Sequence, residues 1–158
     1  MERVEILSLI EQFQFNFLDD SRWQFIVSGL KNTIIITFFA VLLGVFLGFL
    51  IAIVRSTHDK TGKLKILNVI CRVYLTVIRG TPTMVQLLIV YYVIFATVDP
   101  GKVIVAIIAF GMNSAAYVAE IVRSGIMSID QGQFEAGRSL GLNYTQTMTK
   151  IILPQAVK

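Results

Sequence analysis

Positions 34–54 run from Ile34-Ile35-Ile36 to Ala52-Ile53-Val54 without a charged side chain, and no other stretch restricts the fold as much. At 1.5 Å rise per residue, about 20 helical residues cross the roughly 30 Å hydrocarbon layer of a bilayer. A helix on the surface of a soluble core keeps a polar face, whereas this run is apolar all round. The composition agrees: 55% of the 158 residues are apolar and 15% are charged, against about 25% charged in a soluble domain. Much of the surface must therefore face something other than water. The expected class is an all-α integral membrane protein. Gly44 and Gly48 put two side-chain-free positions on one face of the span, which lets a neighbouring helix approach closely.

Before this span, Ile6, Ile10, Phe13 and Phe17 recur at helical spacing between Glu2, Glu5 and Glu11. Residues 1–28 therefore read as an amphipathic segment on the membrane surface, with Trp23 and Phe25 as interfacial anchors. The early acidic residues also argue against a cleavable signal peptide, which opens basic and then turns apolar. Residues 29–158 read as the membrane domain. Its second span is irregular: Val73–Ile78 is apolar, Arg79-Gly80-Thr81-Pro82 interrupts, and Met84–Val98 is apolar again. A Gly and a Pro this close break or kink a helix. Asp99-Pro100-Gly101 reads as a turn, and Val103–Val122 as a third span. Arg55, Lys60, Lys63, Lys65, Arg72 and Arg79 face only Asp59 between the first and second spans. The positive-inside rule places that stretch in the cytoplasm, the N-terminus outside, and the residues after the third span in the cytoplasm. The net charge of +4 thus reflects orientation and gives no reason to invoke nucleic acid.

The chain lacks the equipment for covalent chemistry. His58, the single histidine, lies in the basic stretch and reads as a solvated surface residue, and Cys71, the single cysteine, reads as packing. One of each supplies neither a metal site nor a Ser-His-Asp set. The pairs Gly62-Lys63 and Gly101-Lys102 lack the upstream glycine and following hydroxyl of a phosphate loop. No catalytic residue, metal or cofactor is expected. Glu120 stands out instead, because an ionisable group at the centre of a span costs about 3 kcal/mol. Asn113, Tyr117 and Glu120 share one helical face. They read either as the lining of a polar path or as a structural ion pair, Glu120 meeting Arg123 or Arg79. Arg79, Gly80 and Pro82 likewise read as a broken helix that exposes backbone groups to a substrate or as a plain kink.

Gly132–Pro154 is a polar, glycine-punctuated segment on the expected cytoplasmic side. It pairs Glu135-Ala136-Gly137 with Gly141 and ends in Ile151-Ile152-Leu153-Pro154. Gly141 suits a positive φ and Pro154 the first turn of a following helix. Taken alone, the small residues read as an ordinary capped loop. Two further blocks accompany it: Arg79-Gly80-Thr81-Pro82 continuing through Val85-Gln86-Leu87 to Tyr91-Tyr92, and Ala116–Ile126. In that order the three resemble the permease subunits of bacterial ATP-binding cassette importers for polar amino acids, over residues 20–158.

The resemblance implies a type I importer helix bundle and a short coupling helix within residues 130–154. That helix would be built on Glu135, Ala136, Gly137, Gly141, Leu153 and Pro154, and would lie in a groove of a separate ATPase. Gly137 stands where the family more often has alanine, and a second small residue there preserves close approach between helix and partner. The implied partners are the ATPase that binds ATP, a second permease subunit (identical or related), an extracytoplasmic binding protein, a polar amino acid and membrane lipid. A substrate's ammonium group would suit the Glu120 carboxylate. The implied location is the bacterial cytoplasmic membrane. The family continues for two more spans after its Leu-Pro, so the expectation is about three spans of an incomplete set, unable to transport alone. The rival expectations are a non-transporting fragment that docks or regulates the ATPase, and a small channel, which leaves Gly132–Pro154 unexplained.

Overall fold

The computed structural model describes residues 8, 11–14, 17, 21–98 and 100–156. Glu2, Glu5, Ile6, Ile10 and Asp99, used in the sequence reading, lie outside them. The described residues are helical with no strand. They fall into two compact units, residues 1–38 and 39–158.

In the first unit the Phe13 and Phe17 rings meet at 4.8 Å, a helical i, i+4 contact. Helix α1 begins at Trp23 and runs to Thr61. Position 28, where the sequence reading ended the surface segment, has no break. Trp23–Lys31 holds no proline, and the Thr33 hydroxyl bonds back to the Gly29 carbonyl at 2.9 Å, so nothing there stops a helix. Trp23, Phe25, Leu30 and Ile34 are exposed along it.

In the second unit, α1 buries Ala40, Gly44, Gly48, Ala52 and Ser56, one residue per turn on a single stripe. Helix α4, Lys102–Ser128, lies against that stripe. A Cβ on Gly44 would sit 2.5 Å from Ser114 Oγ, and one on Gly48 would sit 2.8 Å from the Ala115 carbonyl oxygen. From the other side, a Cβ on Gly111 would meet Leu43 Cδ2 at 2.6 Å. The two helices are closer than any larger side chain would allow, which is the use that small residues have between spans.

The basic stretch between Arg55 and Arg79 is mostly helix. After α1 the chain turns through Gly62 and Leu64, both at positive φ, and α2 follows from Lys65 to Gly80. Helix α2 is strongly amphipathic. Asn68, Cys71, Leu75 and Ile78 are buried, Ile66, Ile70, Val73 and Val77 are exposed, and Arg72, Thr76 and Arg79 share a third face. The chain then bends by 112° into α3, Thr83–Ile89, which continues as a wide π turn, Val90–Ile94. Helices α1 and α4 are long and apolar enough to cross a membrane, and α2 with α3 makes a third span if the bent pair is one. Leu75 and Ile78 pack with Ala116 and Ala119, and Val90 packs with Val105 and Ala109, so α4 is the element both halves of the bent pair share.

Beyond α4 come α5, Gln131–Ser139, and then α6, Tyr144–Thr147. A π turn, Met148–Ile152, and α7, Leu153–Ala156, complete the described chain.

Candidate coupling segment and polar core

Helix α5 is fixed at both ends by its own chain. At its start the Asp130 carboxylate accepts the Gly132 N–H at 2.6 Å, satisfying a donor that the first turn leaves free. At its end Leu142 N–H bonds to the Gly137 carbonyl and Gly141 N–H to the Arg138 carbonyl, at 3.0 and 2.9 Å. These two bonds make a Schellman cap, and Gly141 takes its left-handed position at φ 78°. Two residues on, Asn143 and Gln146 form a reciprocal capping box, both bonds 2.9 Å, that starts α6. Helix α5 is thereby reversed onto the following helix within four residues.

Four side chains seal this reversal: Ile126 from α4, Phe134 from α5, and Met148 and Ile152 from the π turn, all buried. Glu135 and Ala136 are exposed, whereas Gly137 is buried. A Cβ on Gly137 would fall 2.7 Å from the Thr147 side chain. The small residue at 137 thus allows a close contact inside the chain, with Thr147. Pro154 lies in the first turn of α7, where a proline was expected, and α7 continues directly from the π turn, with Leu153 helical at φ −58° and ψ −42°. Leu153 is half-buried beside Ile126, and Pro154 is exposed.

Lys60 ties the segment to α1. Lys60 Nζ bonds to Gln131 Oε1 at 2.6 Å and lies 4.4 Å from the centre of the Phe134 ring, a cation–π contact. Next to it Asp59 meets Arg123 at 3.5 Å. Arg123 Nη2 reaches Glu120 Oε1 at 2.7 Å, and Glu120 Oε2 accepts from Arg55 at 3.1 Å and lies 3.5 Å from Arg79 Nη1. Both pairings expected for Glu120 are present, with a third from Arg55, so the carboxylate joins α1, α2 and α4. Tyr117, half-exposed, lies one turn away, its ring centre 5.9 Å from the Arg79 guanidinium.

Asn113 is held elsewhere. Its amide donates to Gln86 Oε1 at 3.1 Å and to Thr83 Oγ1 at 3.3 Å. Gln86, buried, donates in turn to the carbonyls of Ile78 and Thr81 and to the Thr81 hydroxyl. Ile78 is the residue four before Pro82, and its carbonyl is the one Pro82 has no N–H to serve. The Gln86 amide supplies that donor. Sequence reasoning quoted Gln86 without giving it a role; its signal was a lone amide in an apolar run four residues after a proline. Arg55, 65 positions from Glu120, gave no local signal at all.

Tyr144, outside the spans, has a buried hydroxyl without a well-formed hydrogen bond. Burial pushes its pKa up, and a weaker interaction with Thr57 pulls the other way.

Comparison with known proteins places this architecture. Residues 44–158 match the family described as binding-protein-dependent transport system inner membrane component. The chain is 35% identical to the probable amino-acid ABC transporter permease protein YckA of Bacillus subtilis (strain 168), over 95% of this chain and 67% of that one. It is 34% identical to the L-cystine transport system permease protein TcyB of the same organism, over 100% and 66%. It is 37% identical to the putative glutamine transport system permease protein GlnP of Rickettsia prowazekii (strain Madrid E), over 84% and 60%. Among solved structures, a crystal structure of an amino acid ABC transporter with histidines matches with a TM-score of 0.66 at 36% identity, over 83% of this chain and 64% of that one. The chain thus spans about two thirds, or less, of the length of these proteins. With its apolar helices and a family match over most of its length, this membrane protein belongs to the inner membrane component family of binding-protein-dependent transport systems.

Proposed function

We propose that this chain is the membrane-spanning permease part of an ATP-binding cassette importer for polar amino acids. In this reading it crosses the bacterial cytoplasmic membrane several times with its N-terminus outside. The residues before α1 rest on the surface, α1 to α4 form the membrane domain, and residues 130–154 form the coupling segment. Relatives named for amino acid, L-cystine and glutamine transport support the substrate class. Within the molecule, one observation carries the mechanism. A nine-residue helix, capped at both ends and tied by Lys60 to α1, leaves Glu135 and Ala136 free on its outer side. A helix with those properties can take a push without unravelling.

ATP is bound by a separate ATPase, whose closing moves α5 in each of two permease subunits, identical or related. An extracytoplasmic binding protein delivers the amino acid, and the spans alternate between inward- and outward-facing states. Asn113, Tyr117 and Glu120 border the path, with Arg79, Gly80 and Pro82 at the bend beside it. The permease itself makes and breaks no covalent bond.

The test is reconstitution of the full-length protein with its ATPase and binding protein in liposomes. Amino-acid-stimulated ATP hydrolysis and uptake are expected, and their absence from an assembled complex would overturn the reading. A cysteine placed at exposed Ser139 must react with an impermeant reagent from the cytoplasmic side; reaction from the outside alone would reverse the orientation.

A further inference from the structure

We propose that the cavity between α1, α2 and α4 is a seat for the carboxylate of a small amino acid, held by Arg72 and Arg79. This deepens the importer reading and rests on it. The cavity measures about 320 Å³ and is lined by Arg55, Arg72, Leu75, Thr76, Arg79 and Glu120. Its lining carries three guanidinium groups and a single carboxylate. That carboxylate is heavily shared, with one oxygen on Arg123 and the other between Arg55 and Arg79. Arg72 has no ion-pair partner among the described residues, and the Arg55 Nε is buried without a hydrogen bond.

Each guanidinium offers five N–H groups in a planar fork that matches a carboxylate. Donors therefore outnumber acceptors on this lining, and it carries surplus positive charge. Arg72, Thr76 and Arg79 follow one another at i, i+4 and i+7, so one face of α2 presents all three. Charged groups within spans cluster around polar pathways because lipid cannot solvate them. An incoming carboxylate completes the pairing that Glu120 leaves unfinished, and Glu120 is the one acid on the lining able to meet the ammonium group at the other end. The substrate class follows: an amino acid with a free carboxylate, in which the side chain plays the lesser part at this seat. The phosphate of an anionic lipid headgroup presents a similar anion, and the experiment separates the two.

The experiment places a cysteine at exposed Thr76 in a Cys71→Ala background, in the full-length protein in phosphatidylcholine nanodiscs. Its reaction rate is measured with thiosulfonate reagents of opposite charge. Relative to free cysteine, the anionic reagent is expected to be favoured over the cationic one by on the order of tenfold. Arg72→Gln and Arg79→Gln each reduce that preference, while Arg72→Lys, which keeps the charge, retains most of it. Millimolar L-glutamine slows both reagents, whereas L-glutaminamide, which lacks the carboxylate, does not. Equal rates for the two reagents, or equal protection by glutaminamide, would overturn the seat. Protection by added phosphatidylglycerol but not by glutamine would overturn it in favour of a lipid site. Stimulated ATP hydrolysis without charge preference at position 76 removes this inference and leaves the importer reading intact. Preference and protection without stimulated hydrolysis do the reverse.

Discussion

The chain meets a proline inside helical structure at two places, and the outcomes are opposite. At Pro82 the helix ends and the chain swings through 112°. At Pro154 helical structure continues from Tyr144 to Ala156. In both, the ring removes a donor and crowds the carbonyl four residues back. The surroundings differ. Before Pro154 lies the wide π turn Met148–Ile152, in which Leu153 N–H reaches back five residues to the Met148 carbonyl. That widening makes room for the ring, and the proline is exposed. Before Pro82 the helix is ordinary, and its last carbonyls are met by side chains: Val77 by the Thr81 hydroxyl at 2.9 Å, Ile78 by the buried amide of Gln86. A proline removes one bond; whether the chain bends depends on what takes the orphaned carbonyl.

The largest effect is expected where that replacement is removed. Gln86→Leu removes the buried amide that serves the Ile78 and Thr81 carbonyls and accepts from Asn113. Unsatisfied buried groups cost about 1–3 kcal/mol each, while hydrogen bonds between membrane helices measure nearer 1. A loss of about 2–3 kcal/mol in a detergent unfolding titration is therefore expected, with Asn113→Ala costing about 1 kcal/mol. Pro154→Ala, at the contrasting site, is expected to change stability by less than about 1 kcal/mol, because its ring is already accommodated. If Gln86→Leu proves as mild as Pro154→Ala, the contrast between the two prolines is wrong.

The same contrast shows what the sequence could reveal. The uncharged run in α1, the apolar α4 and the interruption at Gly80-Pro82 are written in consecutive residues, so periodicity and composition reach them. The first half of helix α2 was hidden inside the basic stretch. Its arginines and lysine occupy one face, and its buried stripe of Asn68, Cys71, Leu75 and Ile78 includes an asparagine and a cysteine that weaken the apolar signal. The partners of Glu120 were half visible: Arg123 at i+3 follows from helical spacing, whereas Arg55 comes from another helix. Gly137 is a related case. A small residue announces close approach without naming the neighbour, and Thr147 became its neighbour only through the reversal at Gly141.

The contact between Gly137 and Thr147 can be tested by a cycle of substitutions. Gly137→Ala drives a methyl group to within 2.7 Å of the Thr147 side chain, and overpacking of this kind costs about 1–3 kcal/mol. Thr147→Ala removes the obstructing Oγ1 and Cγ2 atoms, so the double variant is expected to recover at least about half of that loss. Additive losses would mean that Gly137 answers to some other contact, the partner surface included.

The smallest effect concerns alkaline pH and isolates the packing behind α5 from its hydrogen bonds. Burial raises the Tyr144 pKa above its ordinary value near 10. Above pH 10 the unfolded chain releases this proton more readily than the folded one, so the folded state binds more protons there and stability falls as pH rises. The contribution is complete below the unfolded value and is lost as pH climbs through the folded one. Tyr144→Phe removes this titration while keeping the ring among Ile126, Phe134 and Met148. Near neutral pH the variant should match the parent within about 0.5–1 kcal/mol, since the hydroxyl makes no well-formed bond. Above pH 10 its stability should fall less steeply than the parent's. Identical alkaline slopes would show that the hydroxyl reaches water and that the Tyr144 side of the reversal between α5 and α6 is less tightly closed than its neighbours indicate.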